Sequence, residues 1–109
     1  MDALPGFAAA EQEWVYYMTD FLHVKIGTSA DVQRRSGQLQ LEILFRIPGG
    51  QLVEKREHRR WSALRIGRTE YFNPNAPMLL YMALRVDRSD TVAVRSLEWL
   101  SLNIMTRIA

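Results

Sequence analysis

Trp14-Val15-Tyr16-Tyr17-Met18 and Val24-Lys25-Ile26-Gly27 are two short runs of β-branched and aromatic residues separated by the polar interval Thr19 to His23. Such runs read as the two arms of a hairpin, and the glycine closing the second arm is where the chain leaves the sheet. Thr28-Ser29-Ala30-Asp31 follows, with Ser29 and Asp31 both suited to cap a helix reaching to about Gln40. A hairpin that feeds a helix carrying paired arginines is a frame able to hold a phosphate.

On that helix, at about 100° per residue, Val32, Arg35, Ser36 and Leu39 share one side while Arg34 lies away from them. Arg34 is predicted to be solvated. Arg35 leans toward whatever the Val32 and Leu39 stripe packs on, so it needs an anionic partner, either a core carboxylate or a phosphate from outside.

Leu41 to Ile47 reads as a third strand with Leu41, Ile43, Phe45 and Ile47 on one face, ended by Pro48-Gly49-Gly50. A second helix is expected from Gln51 to Leu64, stopped near Gly67, with Val53, Trp61 and Leu64 as its apolar stripe. Glu57 falls inside that stripe, and Glu54 and His58 lie along its edge, one turn apart and close enough to hydrogen bond. A carboxylate beside an imidazole either orients it for catalysis or satisfies a half-buried ring.

Thr69-Glu70-Tyr71-Phe72 is a last strand or an extended segment. If Phe72 anchors in the core, alternation starts Glu70 from the same side, and an inward carboxylate needs a cation or a metal. Asn73-Pro74-Asn75 leads into a helix from about Ala76 to Val86, and a polar turn from Arg85 to Asp90 precedes a last amphipathic helix at about Val94 to Ile108. Val94, Leu97, Leu100, Ile104, Met105 and Ile108 form its stripe, with Trp99 and Leu102 outside it. Apolar residues on two sides of this helix point to deep burial or to a partner chain, here a homodimer contact.

The division expected is a flexible lead-in over 1–13, a compact domain over 14–86 and a helical extension over 87–109. Lys plus Arg number 14 against 12 for Asp plus Glu, so net charge argues only weakly for a polyanionic partner. Distribution says more: arginines pair at Arg34-Arg35 and Arg59-Arg60, where their planar forks suit phosphate oxygens or simply line a solvated helix face. With no cysteine, disulfides, a thiolate nucleophile and a Cys-ligated zinc are excluded. No run approaches the ~18 apolar residues of a membrane span, and a cytoplasmic setting is the expectation.

In this order the parts resemble the GIY-YIG nuclease superfamily, within it the small phage and bacterial branch related to the meiotically up-regulated-gene nucleases. Trp14-Val15-Tyr16 is similar to the first signature tripeptide and Lys25-Ile26-Gly27 to the second. Arg34-Arg35 with Leu39-Gln40, the Glu54 to His58 to Trp61 spacing, and Glu70-Tyr71-Phe72 are similar to further blocks of that branch, so the likeness spans about Trp14 to Leu84. Trp14 stands where the family usually has glycine. Lys25 stands where it has a second tyrosine, as is usual in this branch.

The resemblance implies an α/β (α+β) fold built on a small three-stranded mixed sheet flanked by helices, and a metal-dependent endonuclease site acting on DNA. The family's tyrosine, arginine, histidine and metal-binding glutamate correspond to Tyr16, Arg35, His58 and Glu70. Arg35 would stabilise charge on the phosphate, and Glu70 would hold one Mg²⁺ or Mn²⁺. Tyr16, assisted by His58, would orient or deprotonate the attacking water. Lys25, Arg34, Arg59 and Arg60 are the candidate substrate contacts. Two other readings are a noncatalytic nucleic-acid-binding module that keeps the fold, and an interaction protein acting through its last helix with the pocket closed by an Arg35–Glu70 salt bridge.

Overall fold

The computed structural model describes residues 11–108, so most of the expected lead-in lies outside the described residues. The hairpin forms as expected from β1 (Trp14–Thr19) and β2 (Val24–Ser29), paired antiparallel with Tyr16 opposite Gly27. Its turn is tied by side chains: Thr19 Oγ1 accepts from the Phe21 N–H at 2.9 Å and donates to the His23 carbonyl at 2.7 Å. Asp20 accepts from the Leu22 and His23 amides, which accommodates the positive φ of 74° at Phe21.

Asp31 caps α1 (Val32–Leu39) by accepting from the Arg34 amide at 3.0 Å. After α1 come β3 (Glu42–Pro48), α2 (Gln51–Arg60), a 3-10 turn (Ser62–Leu64), β4 (Tyr71–Phe72), α3 (Ala76–Ala83) and α4 (Thr91–Ile108). The second helix therefore ends at Arg60, and after Trp61 a separate 3-10 turn carries the chain to Leu64.

The sheet has four strands in the order β3-β1-β2-β4, and every adjacent pair is antiparallel, in place of the expected three-stranded mixed sheet. Two physical reasons account for the difference. The crossover through α1 leaves β2 and β3 parallel to each other but on either side of β1, so no parallel pair is adjacent. Tyr71 and Phe72 then add to the free edge of β2, where Phe72 is fully buried and its burial contributes roughly 1.5–3 kcal/mol.

Alternation sorts the sheet's side chains into two layers. Val15, Tyr17, Val24, Ile26 and Phe72 face α3 and α4, whose Met78, Met82, Ala93, Leu97, Leu100 and Ile104 complete the main core. Tyr16 and Met18 face α1, packing with Val32, Leu41 and, at the margin, Leu39, Ile43 and Tyr71. The single expected face of β3 is split between these layers. A bulge between Tyr17 and Met18 pairs Tyr17 with Phe45 but Met18 with Ile43, so Leu44 and Phe45 both enter the main core while Leu41 and Ile43 turn to the other.

The last helix belongs to the main core, and Asn103 Nδ2 donates to the Phe21 carbonyl at 2.7 Å, fastening it to the hairpin turn. Met105, expected in its buried stripe, is instead 63% exposed, on the same side as Trp99 and Leu102. No helix among the described residues is long and apolar enough to cross a membrane.

Glu57 is fully buried and joins α2 to the sheet. Its Oε1 accepts from Tyr17 at 2.8 Å and from Tyr81 at 2.5 Å, and its Oε2 from Arg56 at 3.2 Å, with the Arg60 guanidinium 3.5 Å away. Burial alone would raise this carboxyl, but the hydrogen bonds from Tyr81, Tyr17 and Arg56 and the charge of Arg60 bring it below its ordinary 4.5. A depressed folded pKa means that the contribution is complete above pH 4.5 and is lost as pH falls toward the folded value. Glu57→Ala is expected to cost about 3–5 kcal/mol by urea denaturation. A melting-temperature profile on acidification should fall less steeply in Glu57→Gln than in wild type.

Candidate active site

Strand β4 is only two residues long, so beyond Lys25 the edge of β2 has no strand beside it. Ile26 donates its amide to the Glu70 carbonyl at 3.0 Å, which sets Glu70 at the end of the pairing, next to that open edge. The approach to Glu70 is a tight reversal at Gly67, whose φ is +56°, closed by the Thr69 amide on the Ile66 carbonyl and by Ile66 on Tyr71.

Groups from both faces of the sheet meet around this edge. From the α1 layer come Tyr16 and Lys25, and the Lys25 ammonium forms an ion pair with Glu70 Oε1 while lying 5.9 Å from the Tyr16 ring centroid and 5.5 Å from that of Tyr71. From the α2 side come Glu54, which accepts from Thr28 Oγ1 at 2.7 Å, and His58, whose Nε2 is 2.9 Å from the Ile26 carbonyl. Glu70 serves both sets: donor atoms of Glu54, His58 and Glu70 all lie within 4.8 Å of one another.

The pairing of Glu54 with His58 expected from their spacing is replaced by separate partners. A carbonyl only accepts, so His58 Nε2 carries a proton, and in the neutral ring Nδ1 keeps its lone pair. The ring is further held edge-on to Phe72, with centroids 5.1 Å apart. A histidine whose outer nitrogen donates to a backbone carbonyl and whose other nitrogen is free is the usual arrangement of a metal ligand. Two carboxylates and an imidazole thus fit a divalent cation, and Glu54 is the donor that the sequence-based site omitted.

Tyr16 is 1% exposed and its ring lies flat across Gly27 on the neighbouring strand: a Cβ at Gly27 would sit 2.3 Å from the Tyr16 hydroxyl and 2.6 Å from Cζ. The second tripeptide ends in glycine because the first ends in a tyrosine that occupies the space above it. Burial first, and then the charge of Glu70, push the Tyr16 hydroxyl up to about 12, while Arg35 pulls the other way. Tyr16 is therefore a neutral hydroxyl at physiological pH. A neutral hydroxyl can orient a water by hydrogen bonding, and a cation bound beside it would favour its deprotonated form.

Arg35 is half-buried on the side of α1 that carries Val32, as its helical position indicates, and its charge is felt at Tyr16. Among the described residues it makes no ion pair within 4.0 Å, and the partner of Glu70 is Lys25. The Arg35–Glu70 bridge of the closed-pocket reading is thus not formed. Arg34 is exposed on the far side of α1. Arg59 lines the cleft of about 460 Å³ shared by Glu54, His58, Glu70, Lys55 and Arg65, whereas Arg60 lies on the opposite flank of α2, against the ring of Tyr81.

Comparison with protein-family models, with curated proteins and with solved structures found no match. Gly27→Ala is expected to destabilise the fold by about 1–3 kcal/mol through collision with Tyr16. In a Tyr16→Ala background the penalty should largely vanish, which a double-mutant cycle in urea would measure.

Proposed function

We propose that this protein is a divalent-metal-dependent endonuclease that hydrolyses DNA phosphodiester bonds at a GIY-YIG-type site. The observation that carries the reading is the gathering of Glu54, His58 and Glu70 at the open edge of β2, beside Tyr16 and within the electrostatic reach of Arg35. Bound by these donors, Mg²⁺ or Mn²⁺ would supply Lewis-acid polarisation of the phosphate and stabilise the leaving oxygen. An imidazole ligand favours Mn²⁺ over the strictly oxygen-loving Mg²⁺.

The protein's own groups supply the rest. Arg35, which makes no ion pair among the described residues, places a cation within electrostatic reach of the Tyr16 hydroxyl, where it would stabilise charge on the nonbridging phosphate oxygens. Tyr16 offers a hydroxyl beside these donors that orients the attacking water or, next to a bound cation, deprotonates it. Lys25, buried at 8% exposure, holds Glu70 in place of the family's second tyrosine. Lys55, Arg59 and Arg65 surround the cleft and contribute salt-sensitive attraction to the DNA backbone.

A second reading, a noncatalytic DNA-binding module, is favoured by one observation: Glu70 is already engaged by the Lys25 ammonium. Cleavage of supercoiled plasmid separates the two. With Mn²⁺ or Mg²⁺, wild type is expected to nick or cut, and Glu70→Ala or Arg35→Ala to lower turnover about 100-fold or more with little loss of DNA affinity. Equal background cleavage by all three proteins would leave only the binding module.

The same proposal includes a homodimer through the C-terminal helix. Trp99, Leu102 and Met105 on α4, with Leu80 on α3 and Leu84 just after it, are exposed apolar side chains that no element among the described residues covers. Sedimentation equilibrium should show a dimer that Trp99→Glu with Leu102→Glu dissociates. A wild-type monomer at micromolar concentration would contradict it.

A further inference from the structure

Helix α2 has a second cationic flank that takes no part in the site just described. The inward side of the helix carries Glu57; Glu54 and His58 lie to one side of it and Arg56 and Arg60 to the other. Arg56 and Arg60 line a cleft of about 380 Å³ with Arg46 from β3, Arg85 from the end of α3, and Tyr81. Four arginines therefore line one recess in a chain whose net charge is only +2.

Their compensation is incomplete. Among the described residues Glu57 is the one carboxylate paired with any of them, through Oε2 to Arg56 and Arg60, and it is fully buried with Oε1 committed to two tyrosines. Asp87 and Asp90 line an adjoining cleft with Arg46 and Arg85, yet no ion pair joins them within 4.0 Å. Like charges so placed repel one another unless an anion enters between them.

The groups are also held in position. The Arg46 guanidinium stacks over Trp14 at 4.4 Å, Arg85 over Tyr81 at 3.6 Å, and Arg60 over the same ring at 4.8 Å. Stacking uses the face of a guanidinium, and although Arg85 Nη1 donates to the Tyr81 carbonyl at 3.4 Å and Arg60 Nε faces Glu57 Oε2 at 3.5 Å, each fork keeps further N–H donors and is oriented before any ligand arrives. Between this recess and the candidate active site, the solvent side of α2 presents Lys55, Arg56 and Arg59, making one cationic belt across the helix.

We propose that this arginine recess is an anchoring site for backbone phosphates of duplex DNA, at the end of the belt remote from the metal-binding donors. The inference rests on the DNA-directed reading above but not on catalysis. The recess lies by β3 and the catalytic cleft by β2 and β4, at opposite edges of a four-stranded sheet. Two interstrand steps of about 4.8 Å separate β3 from the open edge of β2, and three separate it from β4, a span of roughly 10–14 Å that is comparable to the roughly 12 Å width of a major groove. A single duplex laid across α2 can therefore touch both, with Arg46 and Arg85 fixing where the reacting phosphate falls.

The test is fluorescence anisotropy of a labelled duplex at several salt concentrations, with wild type, Arg46→Ala/Arg85→Ala, and Arg46→Lys/Arg85→Lys. These two positions are chosen because neither pairs with Glu57. The alanine double variant is expected to bind at least about tenfold more weakly, with a dependence of log K on log salt that is shallower by about 0.9 for each phosphate no longer neutralised. The lysine variant should keep most of the slope but lose part of the affinity, and its fold is secured independently by its melting temperature.

Wild-type binding with unchanged affinity and slope in both variants overturns the recess while leaving the nuclease reading intact. Wild type that binds and loses affinity in the variants, but never cleaves, supports the recess and removes only the catalytic reading. Absence of duplex binding by wild type overturns both.

Discussion

The close approach of the Tyr16 ring to Gly27 is the constraint from which the site follows. These residues face each other across the β1–β2 hairpin, and the absence of a Cβ at 27 lets the phenol lie across the neighbouring strand. Its hydroxyl is thereby carried toward the β2 edge, into the fields of Glu70 and Arg35. Because β4 pairs only with Val24 and Lys25, that edge stays open just where the hydroxyl arrives. A longer β4 would have covered it, and a side chain at 27 would have turned the phenol away.

Helix α2 meets this edge with two kinds of polar group kept apart by its own geometry. Glu57 points into the protein and is satisfied by tyrosines and arginines, so it stabilises without being accessible. Glu54 and His58, rotated toward the cleft, are anchored by Thr28 and by the Ile26 carbonyl of β2. The strand that positions Lys25 and Gly27 on one face thus also orients the two α2 donors from the other. That is how residues far apart in the chain reach one location.

Much of this was legible from local pattern, and what was not has a common physical cause. The hairpin, the Asp31 cap and the separation of Arg35 from Arg34 depend on periodicity and short-range hydrogen bonding, which the sequence displays directly. The β3 bulge depends on how β1 twists against its neighbour, and strict alternation misassigned Phe45 and Ile43 to one face. The same rule sent Glu70 inward with Phe72, whereas the chain leaves strand geometry at Glu70 and its carboxylate finds Lys25 at the edge. Spacing placed Glu54 beside His58, but their actual partners come from β2, so Glu54 emerged as a candidate metal donor only in three dimensions. Long-range choices among competing partners are what periodicity does not encode.

The claim on which the function rests is that the open edge of β2 assembles one cation site from Glu54, His58 and Glu70. Anomalous diffraction from crystals soaked in Mn²⁺ tests it most directly. The expected result is a single strong peak bonded to His58 Nδ1 and to both carboxylates, with the Lys25 ammonium withdrawn from the bound oxygen of Glu70. No peak at these donors at saturating Mn²⁺, with Lys25 still paired to Glu70, would contradict it.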